Sequence, residues 1–187
     1  MATTNDSDKI NWTKWKKRGK LSFYGIVLAG IGFLIGLYII APMQPKSEGY
    51  VPTAVRKMPK ATVRFTNPNG GEVLLPVNIA DEEKEREAGL NNVGKAALAN
   101  TYLLYDQGDV TTWGEDYDVN KINGPLTFAI MNGEGKVVNI KEAKVGDEEV
   151  SVEKDHRWVL AMEKSVLKDF GIEVGSQLIT KTLPGSK

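Results

Sequence analysis

An uncharged apolar segment of 21 residues, from Leu21 to Ala41, constrains this chain more than any other feature. At about 1.5 Å of rise per residue, a helix of this length spans roughly 30 Å, the thickness of the hydrocarbon core of a bilayer. A cleaved signal peptide is the main alternative, but this run is longer than usual and Ile39 stands where a small residue belongs. The sequence therefore predicts a retained transmembrane helix over residues 21–41 in an inner (cytoplasmic) membrane.

The residues that flank this segment predict its orientation. Five of the seven residues in 14–20 are basic, whereas Lys46 is the only basic residue among the ten that follow Ala41. The positive-inside rule then places residues 1–20 in the cytoplasm and residues 42–187 on the extracytoplasmic (periplasmic) side. Aromatic and basic side chains near the ends of the segment are typical of anchors at the lipid interface. These predicted anchors are Trp12, Trp15, Lys16, Lys17, Arg18 and Tyr38.

Small residues recur along the apolar segment at helical spacing. Gly25, Ala29, Gly32 and Gly36 fall within about 60° of one another on a helix, whereas Gly30 lies away from them. Such a stripe lets a second helix approach closely, and close packing is what drives association inside lipid. We predict that this helix-packing face contacts a partner in the membrane, either a larger complex or a second copy of the span.

Charge and cysteine content limit the function of the remaining chain. Residues 61–187 carry 14 basic and 21 acidic side chains, and this excess of negative charge argues against a nucleic-acid partner. The chain contains no cysteine, so it has no disulfide, no thiolate nucleophile and no zinc–cysteine site. A domain outside the membrane must therefore be held together by its core alone.

The proline-rich residues 42–60 predict an extended connector rather than a helix. Beyond it, short alternating runs predict strands and two segments predict short helices, with a loop that includes the acidic residues 114–118. The predicted strands are 61–66, 72–80, 101–106, 126–132, 136–143, 156–162 and 176–181, and the predicted helices are 81–90 and 163–171. We expect a small α+β, mostly β domain over 61–181, barrel-like or two-layered, followed by a short tail at 182–187.

Few residues carry recognisable chemistry. His156, the only histidine, lies between Asp155 and Arg157, so it is either a general base or an ordinary polar residue at the start of a strand. The acidic residues in 81–90 and 114–118 match a solvated helix face and an exposed loop better than the ligand spacing of a metal site. The sequence therefore predicts no catalytic residue, no metal and no cofactor.

Four stretches of the chain resemble a known family. Residues 77–90 (VNIADEEKEREAGL), 102–106, 124–140 (GPLTFAIMNGEGKVVNI) and 157–178 are similar, in this order, to the signatures of the bacterial and archaeal uncharacterised-domain family number 192. The resemblance implies a compact, mostly β domain that is exported or tethered to a membrane. The family's biochemical role is unsettled.

The chain departs from the family pattern at polar positions. Trp113 is similar to the family's tryptophan, but the segment that follows it is about five residues longer. Thr127 replaces an aspartate and Ala161 a glutamate. Together with Arg157, Trp113 and Thr127 form a candidate vestigial pocket that has lost its charge, which points away from an enzyme.

These observations predict a non-catalytic, single-span accessory or structural subunit of a larger inner-membrane complex, with a photosynthetic or respiratory assembly as the first candidate. Its partners are then the integral membrane complex and the lipid bilayer. A membrane-tethered periplasmic ligand-binding domain or small envelope enzyme is the alternative, and it predicts a pocket with converging polar groups.

Overall fold

A computed structural model describes residues 47–179 of the chain. The chain divides into two units, Met1–Pro45 and Lys46–Lys187, and the described residues belong to the second. The predicted helix-packing face and the predicted interface anchors therefore lie outside the described residues. Within residues 47–179, no helix is long and apolar enough to cross a membrane.

Strands make up most of the described part of the chain, and its helices are short. The strands are β1 (Lys60–Thr66), β2 (Glu72–Ala80), β3 (Leu103–Asp106), β4 (Glu115–Asp118), β5 (Leu126–Met131), β6 (Val137–Ala143), β7 (Glu149–Val152), β8 (Trp158–Glu163) and β9 (Gln177–Ile179). The helices are α1 (Thr53–Lys57), α2 (Glu83–Ala88), α3 (Lys95–Leu98) and α4 (Lys164–Asp169). The α+β, mostly β fold class is confirmed.

Seven strands form one curled sheet in the order β6-β5-β8-β3-β2-β1-β9. Neighbouring strands are antiparallel except β2 and β3, which are parallel. The two edge strands of this sheet, β6 and β9, meet at one end, because Lys136 pairs with Gln177 and the Val137 amide donates to the Ser176 carbonyl at 2.8 Å. The curl therefore gives a half-barrel and covers part of two edges that would otherwise be open.

The central strands β3, β5 and β8 are buried on both faces, and successive side chains alternate between two cores. Leu104 packs in the inner core, to which all seven strands contribute, whereas Leu103 and Tyr105 pack in the outer core. Because both faces are covered, these strands are almost wholly apolar in sequence. Their apolar runs therefore allow these three strands to be predicted from the sequence.

A two-stranded ribbon, β4 paired with β7, covers part of the outer face. Tyr117 of β4 lies opposite Val150 of β7, and both side chains join the outer core. The prediction of a loop over residues 114–118 is therefore wrong. The local pattern is polar because Tyr117 is the only buried residue of β4, and its pairing partner lies more than thirty residues away in sequence.

The proline-rich segment is also more structured than predicted. Residues 53–57 form α1 rather than an extended connector, because Val55 and the following Met58 are buried in the outer core. Ahead of α1, the Glu48 carbonyl accepts the amides of Ala96 and Ala97 at 2.9 and 3.1 Å. Residues 48–58 are thus part of the folded domain.

Candidate functional site

The only histidine of the chain lies at the centre of a buried hydrogen-bond network. The His156 side chain is 1% exposed, and its Nδ1 lies 2.7 Å from the backbone oxygen of Glu153 and 3.0 Å from Oγ1 of Thr111. Since a carbonyl oxygen only accepts, the hydrogen-bond pattern assigns a hydrogen to Nδ1. The Thr111 hydroxyl in turn donates to the backbone oxygen of His156 at 3.1 Å.

The other ring nitrogen faces a phenol and a carboxylate on β4. Nε2 of His156 lies 3.4 Å from the Tyr117 hydroxyl and 3.6 Å from Oε2 of Glu115. The Tyr117 hydroxyl donates to the Glu115 carboxylate at 3.0 Å. The side-chain amide of Gln107 donates to this hydroxyl and to this carboxylate. With a neutral ring the Tyr117 hydrogen has two acceptors, Nε2 and Glu115, whereas an imidazolium would itself donate to the carboxylate. The network thus links the buried ring to Glu115, whose side chain is 25% exposed.

Tyr117 of this network and the neighbouring Tyr105 resist ionisation. Burial raises the pKa of Tyr117 well above its usual value, and the Glu115 carboxylate raises it further. Burial also raises the pKa of Tyr105, with a smaller contribution from Asp118. The two rings meet edge to face with centroids 4.7 Å apart. Both phenols therefore remain protonated at neutral pH and can act as hydrogen-bond donors.

A cleft of about 550 Å³ opens above the network, between α2 and β4. Its floor includes Gln107, Glu115 and Tyr117, and its lining contains one cation, Arg86. The Arg86 guanidinium is held by the backbone oxygens of Asp81 and Asp106 at 2.6 and 3.3 Å. The acidic lining residues are Glu83, Glu87, Glu115, Asp116 and Asp118. The cleft is thus strongly negative, yet no group of three or more His, Asp or Glu residues within 47–179 is arranged to hold a metal ion.

The three residues of the candidate vestigial pocket do not line this cleft. Trp113 is 68% exposed in the loop before β4. The Arg157 side chain is 34% exposed, and its Nε lies 3.7 Å from Oδ1 of Asp106. Thr127 is buried in β5 opposite Met162, which is five residues along the chain from Arg157, or about 17 Å in an extended strand. The structure therefore does not bring Thr127 and Arg157 together.

The two positions at which the family resemblance has acidic residues are also separated. Ala161 packs in the outer core with Phe128. Thr127 precedes Phe128 in β5, so the alternation of the strand turns its side chain to the inner face. These positions lie on opposite sides of the sheet.

The partners of His156 were not visible in its immediate sequence. Asp155 and Arg157 are its chain neighbours, but the side chains that contact it come from residues 39, 41 and 45 positions earlier, Tyr117, Glu115 and Thr111. The spacing of Glu115 and Tyr117 carries a weak signal, because residues i and i+2 of a strand share a face. Gln107 has no distinguishing signal in the sequence.

Comparisons with known proteins identify the fold. No protein-family model matches the chain, and no curated protein matches it. A solved structure from Sinorhizobium meliloti 1021, described as a "putative transcription regulator", is 22% identical, with a TM-score of 0.58 over 65% of this chain and 93% of its own. A protein of unknown function from Novosphingobium aromaticivorans DSM 12444 is 17% identical, with a TM-score of 0.53 over 70% of this chain and 99% of its own. This chain shares its fold with these two proteins.

Proposed function

We propose that this protein is a non-catalytic accessory or structural subunit of a larger inner-membrane complex. Residues 21–41 would anchor it, and the domain described above would lie on the extracytoplasmic face. The observation that carries the proposal is the uncharged 21-residue segment preceded by five basic residues in 14–20. A photosynthetic or respiratory assembly is the first candidate for the complex.

The environment of His156 supports a structural role for the domain. Its ring is sealed from solvent, and Nδ1 is engaged by the Glu153 carbonyl. A substrate would have to displace Tyr117 and Glu115 to reach Nε2. The ring therefore ties the β4–β7 ribbon to the segment before β8, as a structural residue does.

We also propose that the chain is a divergent member of uncharacterised-domain family number 192. The motifs that carry the resemblance fall on β2 with α2, on β3, on the β5–β6 hairpin, and on β8 with α4 and β9. A test is an alignment that includes intermediate sequences. In such an alignment the related sequences should have glycine at the position of Gly89, because its φ of +50° and its closeness to Tyr105 both require glycine.

The alternative function, a membrane-tethered periplasmic ligand-binding domain or small envelope enzyme, is favoured by the acidic cleft. Its charge would suit a cationic ligand. A thermal-shift screen with small amines, guanidines and sugars would test this function. A compound that raises Tm in the wild type but not in Asp116→Asn would support it.

Association in the membrane tests the main proposal. Membranes would be extracted in a gentle detergent and separated by native electrophoresis, with mass spectrometry of the co-migrating proteins. The wild type should migrate with a constant set of partners. Gly32→Leu, on the predicted packing face, should release the protein, whereas Gly30→Leu, off that face, should not. A wild-type protein that migrates alone would contradict the proposal.

A further inference from the structure

We propose that the loop of residues 107–114, here called the anchor loop, docks Val110 and Trp113 into an apolar pocket of a protein partner whose rim is basic. The inference rests on the proposed function, because the partner is taken to be a subunit of the same complex. The docking surface is then the anchor loop and not the acidic cleft.

The anchor loop exposes two large apolar side chains. Trp113 is 68% exposed and Val110 is 45% exposed, on either side of Thr111. Tryptophan buries a large area in folded proteins and dominates the binding energy of many interfaces when it is exposed in the free protein. Covering both side chains would remove a substantial apolar area from water.

The anchor loop is held in place from beneath. Thr111 is 8% exposed, its amide donates to the His156 carbonyl at 2.8 Å, and its own carbonyl accepts the Asp155 amide at 2.8 Å. At the start of the loop, the backbone amide of Gln107 donates to the Arg157 carbonyl at 3.1 Å. Val110 and Trp113 therefore flank a backbone that is already hydrogen-bonded at Thr111, which lowers the entropy lost on binding.

The charges around the anchor loop select the chemistry of the partner. Arg157 is paired with Asp106, and Lys154 is the exposed cation of the adjoining segment. The exposed acidic residues of the loop and its neighbouring segments are Asp109, Asp116 and Asp155, together with Glu153, which is paired with Lys141 at 3.4 Å. A rim with this negative balance complements Lys and Arg side chains and is repelled by an anionic lipid surface.

The test uses the full-length chain in its native membranes. Trp113→Ser and Val110→Ser would be compared with Val145→Ser, a valine that is 64% exposed in the turn between β6 and β7. Native electrophoresis should show the dissociation constant of the complex raised about tenfold or more by Trp113→Ser, and unchanged by Val145→Ser. Circular dichroism should show that all three variants keep the fold, since each changed side chain is exposed.

Two results would overturn the inference while leaving the proposed function intact. One is that the wild type migrates in a complex and that both variants, Trp113→Ser and Val110→Ser, remain in this complex as firmly as the wild type does. The other is a crosslink to phospholipid from the photoreactive residue benzoylphenylalanine placed at Thr112, which would assign the anchor loop to the membrane. The inference predicts a crosslink from this position to a protein segment that contains Lys or Arg. If the wild type itself migrates alone, the proposed function fails first.

Discussion

Nε2 of His156 lies 3.6 Å from Oε2 of Glu115, and the two residues belong to different layers of the structure. Glu115 begins β4 in the ribbon, whereas His156 precedes β8 in the main sheet. Glu115 lines the acidic cleft, and the His156 carbonyl accepts the amide of Thr111 in the anchor loop, so their contact connects the cleft to this loop.

His156→Ala should destabilise the domain by about 2–4 kcal/mol. The change leaves a cavity in place of the buried ring and removes the hydrogen-bond donor of the part-buried Glu153 carbonyl, and both effects lower the free energy of unfolding. Urea unfolding measures it. The exposed neighbour Lys154→Ala is the control and should stay within about 0.5 kcal/mol of the wild type. Equal effects at the two positions would contradict a structural role for His156.

The hydrogen on the His156 ring can be located directly. Because the chain contains one histidine, its ring signals in a ¹⁵N NMR spectrum need no further assignment. We expect a hydrogen-bonded proton on Nδ1, protected from exchange, since this atom lies 2.7 Å from the Glu153 carbonyl. A neutral ring protonated only at Nε2 would disprove the described network.

Stability should fall in alkaline solution because of Tyr105 and Tyr117. Their folded-state pKa values are raised by burial, so the folded state holds more protons than the unfolded chain once the pH exceeds the ordinary tyrosine value of about 10. Ionisation of the two tyrosines therefore does not change the free energy of unfolding at neutral pH, and it lowers this free energy above a pH of about 10. Urea unfolding at a series of pH values should show a shallower decline in Tyr105→Phe. An identical slope in that variant and the wild type would be the contrary result.

Gly94→Ala should loosen the start of the domain from α3. A Cβ at Gly94 would lie 2.3 Å from the Glu48 oxygen, which accepts the amides of Ala96 and Ala97. We expect a loss of about 1–3 kcal/mol and faster hydrogen exchange at both amides. Gly71→Ala is a matched control, because its nearest neighbour is an amide nitrogen 3.8 Å away. Unchanged exchange in Gly94→Ala would show that residues 48–50 are not held as described.

The parts of the fold that follow from sequence are those with local signals. The hairpin of β1 and β2 was predicted within one residue, because one buried face alternates along each strand and a turn of Asn, Pro and Gly joins them. The strand predicted at 156–162 begins two residues later, at Trp158, since His156 contacts the ribbon instead of pairing in the sheet.

The parts that were missed depend on contacts between distant residues. The ribbon strand β7 and helix α3 are four residues each, too short to show a periodic pattern. Helix α1 lies between prolines and forms because Val55 reaches the outer core. The candidate site shares this origin, because its network joins residues from 107 to 156 that no local pattern connects.

The most direct test of the central claim is the stoichiometry of the native complex. The tagged full-length protein would be purified from its own membranes in a mild detergent, and each co-purifying subunit would be quantified by mass spectrometry. We predict a fixed ratio to the same integral membrane proteins through two successive separations, with that ratio lost in Gly32→Leu and kept in Gly30→Leu. A protein recovered alone, or with partners in variable amounts, would contradict its assignment as a subunit.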